Sequence, residues 1–408
     1  MTIEIRTARP DEYADYLESL STAFLDRLDL EVVSSVVAQT WDPARTWAAF
    51  DGDRICGTFR SWATEMTVPG GATLPASAVA GVTVLPTHRR RGILTSLAAA
   101  EHGAIRERGE AFGLLYASEW PIYGRFGYGA GCRVATWTIQ ASRTSVHGTP
   151  TGGVELVRPD AAAADTIKSV FETWRIRQAG ELRRRDFRWT DDLGLRDTGF
   201  GPPWKGFLAI HRDGSGAADG YARYTAEEKF VDRQPASQIR LNELHALNEP
   251  ASTALWRYLL EVDLVTTVRA EGRSPSDRLP WLLTNARAAI PGEIGDGLWV
   301  RLFDVPRALA ARTYEREATV VIEVVDAELG APLRVLLDAS TDGATCTTSG
   351  RTPDLTLPVA ALGSAYLGGT RLRDATIGTG VDEHTPGSLA TLDAMLRTTD
   401  EPWCSTFF

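Results

Sequence analysis

The sequence predicts an α/β and α+β chain in three units: two tandem mixed sheets flanked by helices, the second a degenerate copy of the first, then a C-terminal α+β unit. Three observations carry this. Residues 79–85 form an apolar, largely β-branched run that enters a basic turn, Arg89-Arg90-Arg91-Gly92, and then a helical pattern. Val154-Glu155-Leu156-Val157-Arg158-Pro159-Asp160 echoes Ile3-Glu4-Ile5-Arg6 and Arg9-Pro10-Asp11, and both stretches lead into a helix. The Gly- and Pro-bearing stretch 285–295 closes the second pattern, and alternating strands follow it.

In order, residues 3–6 alternate as a short strand, and Pro10-Asp11-Glu12 opens a helix with acids in its first turn. That helix runs to about Leu25 on Tyr13, Leu17, Leu20 and Phe24. Residues 47–50 and 54–60 pair as a hairpin about Asp51-Gly52-Asp53. Residues 66–68 and the strand at 79–85 make a second hairpin about a longer loop that begins Pro69-Gly70-Gly71. Pro86 ends the strand, having no N–H for the ladder; Ile93, Leu94, Leu97 and Ala98 then fall at helical spacing and continue to Ile105. Residues 112–118 are a buried strand, 121–126 a short helix and 133–140 a final strand. In the copy, 208–211 and 220–224 repeat the hairpin, 238–247 is a strand and 252–262 its helix. Between these last two stands Asn248-Glu249-Pro250-Ala251, with neither arginine nor glycine. The third unit reads as a strand at 299–303, a helix at 305–312, strands at 318–325, 333–337 and 355–357, and helices at 359–367 and 388–397. The boundaries give units 1–147, 148–290 and 291–408.

Of the 408 residues 43% are hydrophobic and 24% charged, an ordinary soluble composition of a size for two or three domains. A net charge of −10 argues against general nucleic-acid binding, favours amines as small-molecule partners, and makes the local arginine cluster conspicuous. With no N-terminal apolar run and no membrane-length segment, neither secretion nor a membrane span is expected, and the chain reads as cytoplasmic. Cys56, Cys132, Cys346 and Cys404 show no paired spacing, nor do the six histidines, so neither a disulfide framework nor a metal is expected.

The basic turn carries the chemistry. A strand running into a helix presents free backbone N–H groups and the positive end of the helix dipole. Gly92 lets a ligand approach the backbone, and the arginines before it suit a pyrophosphate. A solvated charge run has the same composition. The P-loop spacing and the three-glycine dinucleotide fingerprint are both missing. With its strand, proline and following helix, Arg89-Arg90-Arg91-Gly92-Ile93-Leu94 resembles the acetyl-CoA signature of the GNAT N-acetyltransferases, Arg/Gln-x-x-Gly-x-Gly/Ala, with Leu94 at the last position. Over the whole chain, two such units and a third ending on an aromatic residue resemble the enhanced intracellular survival (Eis) family. Ile122-Tyr123-Gly124-Arg125-Phe126-Gly127-Tyr128-Gly129 and Trp299-Val300-Arg301-Leu302-Phe303-Asp304-Val305-Pro306 are the characteristic stretches.

The resemblance implies a sterol-carrier-protein-like third unit, a homohexamer, and acetyl transfer from acetyl-CoA to amines, aminoglycosides and lysine-type amines among them. It implies coenzyme contacts at Val82, Thr83 and Val84, at Arg90, Arg91, Gly92, Ile93, Leu94 and Thr95 with Arg89 adjacent, and at Ser118 and Glu119. It implies Tyr123 as general acid and the carboxylate of Phe408 as general base. A polycationic acceptor would want an acid near the C-terminus, where Ser405, Thr406 and Phe407 stand, so Asp26 is the candidate acidic wall. Phe24, Trp41 and Trp47 either line the acceptor site or belong to the core. From the residues alone Tyr128 rivals Tyr123 as proton donor, and Phe407 and Phe408 serve equally as a hydrophobic anchor. The copy lacks the arginines and the glycine, so one coenzyme per chain is expected. The competing class is a lipid- or small-molecule-binding protein built on the third unit with a vestigial first one, against which the intact turn speaks.

Overall fold

The computed structural model describes residues 3–149 and 151–408. Strand β1 (Glu4–Thr7) leads through a 3-10 turn into α1 (Tyr13–Ala23), and α2 (Leu30–Thr40) follows. The sequence reading gives no element at 30–40, whose valines suit a strand. Asp29 settles the matter by accepting from the Glu31 and Val32 N–H groups, and Val33 and Val37, one turn apart, are buried. Strands β2 (Thr46–Asp51), β3 (Arg54–Thr67) and β4 (Thr73–Val84) then form a meander. The expected pieces 54–60 and 66–68 are one strand, and the turn after it is tight rather than long. The Val68 N–H bonds the Ala72 carbonyl at 2.8 Å, with Gly70 and Gly71 at φ +98° and +90°. Helix α3 (Ile93–Glu107), β5 (Phe112–Tyr116), α4 (Trp120–Tyr123), β6 (Gly129–Ala130) and β7 (Arg133–Gln140) complete the first part.

The copy follows as β8 (Gly153–Val157), α5 (Ala161–Arg175), α6 (Arg188–Asp192), β9 (Phe207–Arg212) and β10 (Ala218–Glu227). After a two-stranded ribbon, β11 (Phe230–Val231) and β12 (Gln234–Pro235), come β13 (Ser237–Ala246), α7 (Glu249–Leu260), β14 (Val265–Arg273) and α8 (Leu279–Leu282). Strands β15 (Ala289–Asp296) and β16 (Leu298–Leu302) close it. The first sheet has the order β1-β2-β3-β4-β5-β16-β6 and the second β15-β7-β14-β13-β10-β9-β8.

The sheets interlock. The strand expected to finish the first unit, β7, pairs with β14 and β15 in the second sheet. The strand expected to open the third unit, β16, lies between β5 and β6 in the first, with all five residues buried as an internal strand requires. The stretch read as a linker is edge strand β15, where Pro291 is tolerated because an edge N–H needs no partner, and the register shifts beside it. Strands are thus exchanged across the sequence boundaries near 147 and 290.

The C-terminal part runs α9 (Val305–Ala311), β17 (Ala318–Val325), β18 (Leu333–Ser340), β19 (Gly343–Thr348), β20 (Leu355–Pro358), α10 (Val359–Tyr366), α11 (Leu372–Ala375), β21 (Asp382–Glu383) and α12 (Ser388–Leu396). Its core is continuous with the first sheet: Phe112, Leu114 and Val300 pack in one cluster with Val320, Ile322 and Tyr366. Arg301, buried, bonds Asp326 at 2.8 Å and Glu328 at 2.9 Å, and His102 of α3 bonds Glu328 at 2.7 Å. Among the described residues no helix is long and apolar enough to cross a membrane, and no group of three metal-ligating side chains is found.

Candidate active site

The site begins where two parallel strands part. β4 and β5 pair at Ala76↔Phe112, Ser77↔Gly113 and Ala78↔Leu114, and diverge beyond. A bulge in β4 bends it away: the register with β3 jumps from Arg60↔Ala80 to Thr58↔Thr83, leaving Gly81 and Val82 without partners. Gly81 takes φ +60°, and its turned carbonyl accepts from the Thr58 hydroxyl at 2.8 Å.

The turn after β4 ends at an uncapped helix. Arg90 and Gly92 adopt left-handed backbone, φ +63° and +77°, the kind of turn from which anion-binding nests of backbone N–H groups are built. The first helical bond of α3 is made by the Ser96 N–H to the Gly92 carbonyl at 3.0 Å, so those of Ile93, Leu94 and Thr95 have no intrahelical acceptor. Gly92 supplies no capping side chain, and a Cβ built there would meet nothing within 4 Å, so the hollow is open. The corresponding end of α7 is closed. There the Asn248 side chain accepts from the Ala251 N–H at 2.9 Å and donates to Asp219 at 2.7 Å, and Glu249 adds negative charge.

A cavity of about 540 Å³ joins the nest to the splay. Val82, Thr83 and Val84 line it, as do Arg89, Arg90, Gly92, Ile93, Leu94 and Thr95 at its basic end, and Ser118, Glu119 and Tyr123. Phe24 lines it as well. Arg91 turns away, bonding Asp51 at 3.4 Å beside His88, which reaches the same carboxylate at 3.2 Å. Arg125 and Ile122 are liners the sequence reading missed; both stand in the stretch that carries Tyr123.

The two tyrosines separate. Tyr123 ends α4 at the cavity; burial raises its pKa above the usual value near 10, Ser118 pulls the other way and Glu119 adds to the rise. Tyr128 lies outside this cavity. It is 2% exposed, bonds His102 Nε2 at 3.1 Å, and burial pushes its pKa far up.

The C-terminal tail is placed by the second part of the chain. Glu181 accepts from the Ser405 N–H at 2.8 Å and hydroxyl at 2.7 Å, and Arg184 donates to the Thr406 hydroxyl at 2.9 Å. Arg188 donates to the Phe407 carbonyl at 2.9 Å, and Tyr116 to that of Thr406 at 3.0 Å. Ser61 bonds Glu101 of α3 and Leu115 packs in the α3 core, so by strand alternation Trp62 and Tyr116 face the other side of the sheet. The Phe408 ring meets exactly those two, at 4.8 and 5.1 Å. Phe408 therefore sits on the sheet face opposite α3, and it does not line the cavity. Phe407, read as a residue that would be buried, is 65% exposed. Asp26 is exposed in the turn after α1, accepts from the Arg27 N–H at 2.7 Å, and does not line the cavity. Trp47 donates to Glu101 at 2.8 Å in the packing of β2 against α3, and Trp41 packs on Tyr13 and Tyr16.

Arg184 is itself buried, and its pair with Glu243 at 2.5 Å raises its pKa against the pull of burial. Arg184→Leu should therefore cost about 3–5 kcal/mol by stranding Glu243, and should loosen the tail. Urea denaturation and carboxypeptidase digestion read the two effects.

Comparison with known proteins agrees with this geometry. Two family models described as acetyltransferase (GNAT) domain match residues 4–131 and 180–302, and one described as sterol carrier protein domain matches 305–405. An uncharacterised N-acetyltransferase of Streptomyces griseus is 39% identical over 417 residues, covering 100% of both chains. The N-acetyltransferase Eis of Mycobacterium tuberculosis is 34% identical over 329 residues, 78% of this chain and 77% of that one. The crystal structure of Eis1 from Mycobacterium abscessus matches with a TM-score of 0.85 at 33% identity, covering 100% of both. A GCN5-related N-acetyltransferase from Anabaena variabilis shares the fold, with a TM-score of 0.85 at 19% identity over 100% of both chains. The interlocked sheets, the open helix end beside the splay and these relatives together make the chain a member of the Eis family of GNAT N-acetyltransferases.

Proposed function

We propose that the chain transfers the acetyl group of acetyl-CoA to a primary amine by direct attack, with Tyr123 as general acid and the Phe408 carboxylate as general base. The observation that carries this is the uncapped α3 terminus opening into one cavity with the strand splay and Tyr123. The residues present fit the coenzyme. Unpaired N–H groups and the side chains of Arg89, Arg90 and Arg125 offset one carboxylate, Glu119, along the cavity. The bulge at Gly81 and Val82 frees backbone N–H groups to stabilise charge developing on the thioester oxygen. Tyr123 is protonated at neutral pH and donates to the departing thiolate, whose conjugate thiol resembles cysteine with a pKa of about 8.5. The Phe408 carboxylate takes the amine proton, with its residue held between the rings of Trp62 and Tyr116.

Asp26 is exposed outside the cavity and leaves Glu119 as the one carboxylate among its lining residues, less acid than a polycationic aminoglycoside wants, which favours lysine-type amines as acceptors. By family resemblance we also propose a homohexamer, which light scattering tests by returning six chain masses or fewer. Arg90→Ala should weaken acetyl-CoA binding roughly tenfold, the worth of one charge-assisted phosphate contact. Calorimetric titration measures it, and an unchanged affinity would remove the arginine from the cradle. Acetyl-CoA itself should raise the melting temperature, as any ligand selective for the native state does. No rise at saturating coenzyme would sink the proposed activity.

A further inference from the structure

On the sheet face opposite α3, around the Phe408 ring, the surroundings are cationic and aromatic. The guanidinium carbon of Arg60 lies 4.4 Å from the ring centre of Trp41 and 5.3 Å from that of Trp62. That of Arg185 lies 4.5 Å from the same Trp62 ring and 4.5 Å from Phe187. Trp62 is also the ring that Phe408 meets edge-on, so both arginines converge on the place where the C-terminal residue sits. Their neighbours are satisfied: Arg188 bonds Asp192 at 2.9 Å and Arg196 bonds Asp191 at 2.7 Å. Among the described residues the side chains of Arg60 and Arg185 make no hydrogen bond, and no carboxylate lies within 4.0 Å of either, the Phe408 terminus included. Tyr13 and Tyr16, edge-on to Trp41 at 5.4 and 5.3 Å, carry buried hydroxyls that also lack partners.

Two half-buried guanidinium groups without a counter-charge are costly to hold. Burial lowers Arg60 to about 10. Burial and the repulsion of Arg60 and Arg188 lower Arg185 to about 9. A guanidinium presents its donors in the planar fork that a carboxylate matches, and here indole and phenyl faces hold two such forks in place. The missing partner is an anion, and no carboxylate among the described residues reaches either group within 4.0 Å.

We propose that the acceptor amine carries a carboxylate, bound by Arg60 and Arg185 over Trp62, so that the substrates are amino acids or amino-acid-like amines rather than polycations. This rests on the acetyltransferase reading above and narrows its acceptor. In the step itself the amine nitrogen forms a bond to the acetyl carbonyl carbon and the carbon–sulfur bond breaks. The Tyr123 proton goes to sulfur and the amine proton to the Phe408 carboxylate, leaving an N-acetyl amino acid and the free thiol. Proton exchange with solvent then restores both groups, the Phe408 carboxyl releasing a proton and the Tyr123 phenolate taking one up.

The test uses pairs of amines that differ in the carboxylate alone: lysine and cadaverine, phenylalanine and phenethylamine. Thiol release is measured with the full chain and acetyl-CoA. The carboxylate-bearing member of at least one pair should have a kcat/KM at least tenfold higher, carried by KM, and that preference should collapse toward parity in Arg60→Gln and in Arg185→Gln. In parallel, with CoA present, the preferred amino acid should raise the melting temperature of the wild-type chain and not of the variants. If Arg60→Gln does not fold, Arg185→Gln, on the other wall, carries the comparison alone. Acetylation without a carboxylate preference overturns the proposal and leaves the acetyltransferase reading standing. A melting shift lost in the variants, with no turnover of either member, supports the anion subsite while the catalytic reading falls. Neither turnover nor shift overturns the proposal.

Discussion

Tyr123→Phe should lower kcat by roughly 10²–10³-fold, while acetyl-CoA affinity stays within about twofold of wild type. The ring is buried in the core beneath α3, so phenylalanine keeps the packing and removes only the hydroxyl that faces the cavity. Without it the departing thiolate takes its proton from water. The sign of the pH dependence follows from the raised pKa. A donor whose pKa lies above its usual value near 10 stays protonated through neutral and moderately alkaline pH, so the alkaline fall in kcat belongs above pH 10. Tyr128→Phe is the matched control. It deletes the 3.1 Å bond to His102 in the dry interior, and should cost about 1 kcal/mol of stability with kcat changed only a few-fold. Pre-steady-state thiol release on both variants distinguishes them. Equal rates in Tyr123→Phe and wild type would hand the proton transfer to another group.

The second large effect is expected at the chain end. Deleting Phe408, or appending one alanine, should lower kcat by about 10²-fold or more, because either change moves the terminal carboxylate by one residue, roughly 3.5 Å. The tail should stay docked in both. Its anchors are Ser405 and Thr406, held by Glu181 and Arg184, and buried Trp403 and Cys404, none of which is altered. Turnover and the urea midpoint measured on the same preparations separate chemistry from docking. Full turnover with a shifted carboxylate would leave Phe408 as an anchor and nothing more.

That residues 82–84, 89–95, 118, 119 and 123 should meet was legible in the sequence because they are local, and all but Arg91 of those named line one cavity. Residues 82–95 are one strand, turn and helix start, and Ser118, Glu119 and Tyr123 follow the next strand within seven positions. Backbone conformation does most of the work there, and turn residues announce it. The acceptor half proposed above is assembled from Arg60, Trp62, Arg185 and Phe408, segments that only tertiary folding brings together. In the sequence Arg183-Arg184-Arg185 is indistinguishable from a solvated run, yet Arg184 is buried against Glu243 and Arg185 lies over Trp62.

The strand exchange was illegible for a related reason. Alternation in 133–140 and burial in 299–303 report that a strand exists, and carry nothing about which sheet completes its ladder. The helix at 30–40 was hidden by its valines, and the cap at Asp29 was the signal that could have found it. Asp26 was chosen for its charge alone; its side chain bonds the next backbone N–H in an exposed turn.

The most direct test of the account is a crystal structure with acetyl-CoA. It should place the pyrophosphate on the backbone N–H groups of Arg91 to Leu94 and the thioester between the parted ends of β4 and β5, with the sulfur beside the Tyr123 hydroxyl. A coenzyme bound elsewhere, or this cavity empty at saturating coenzyme, would contradict it.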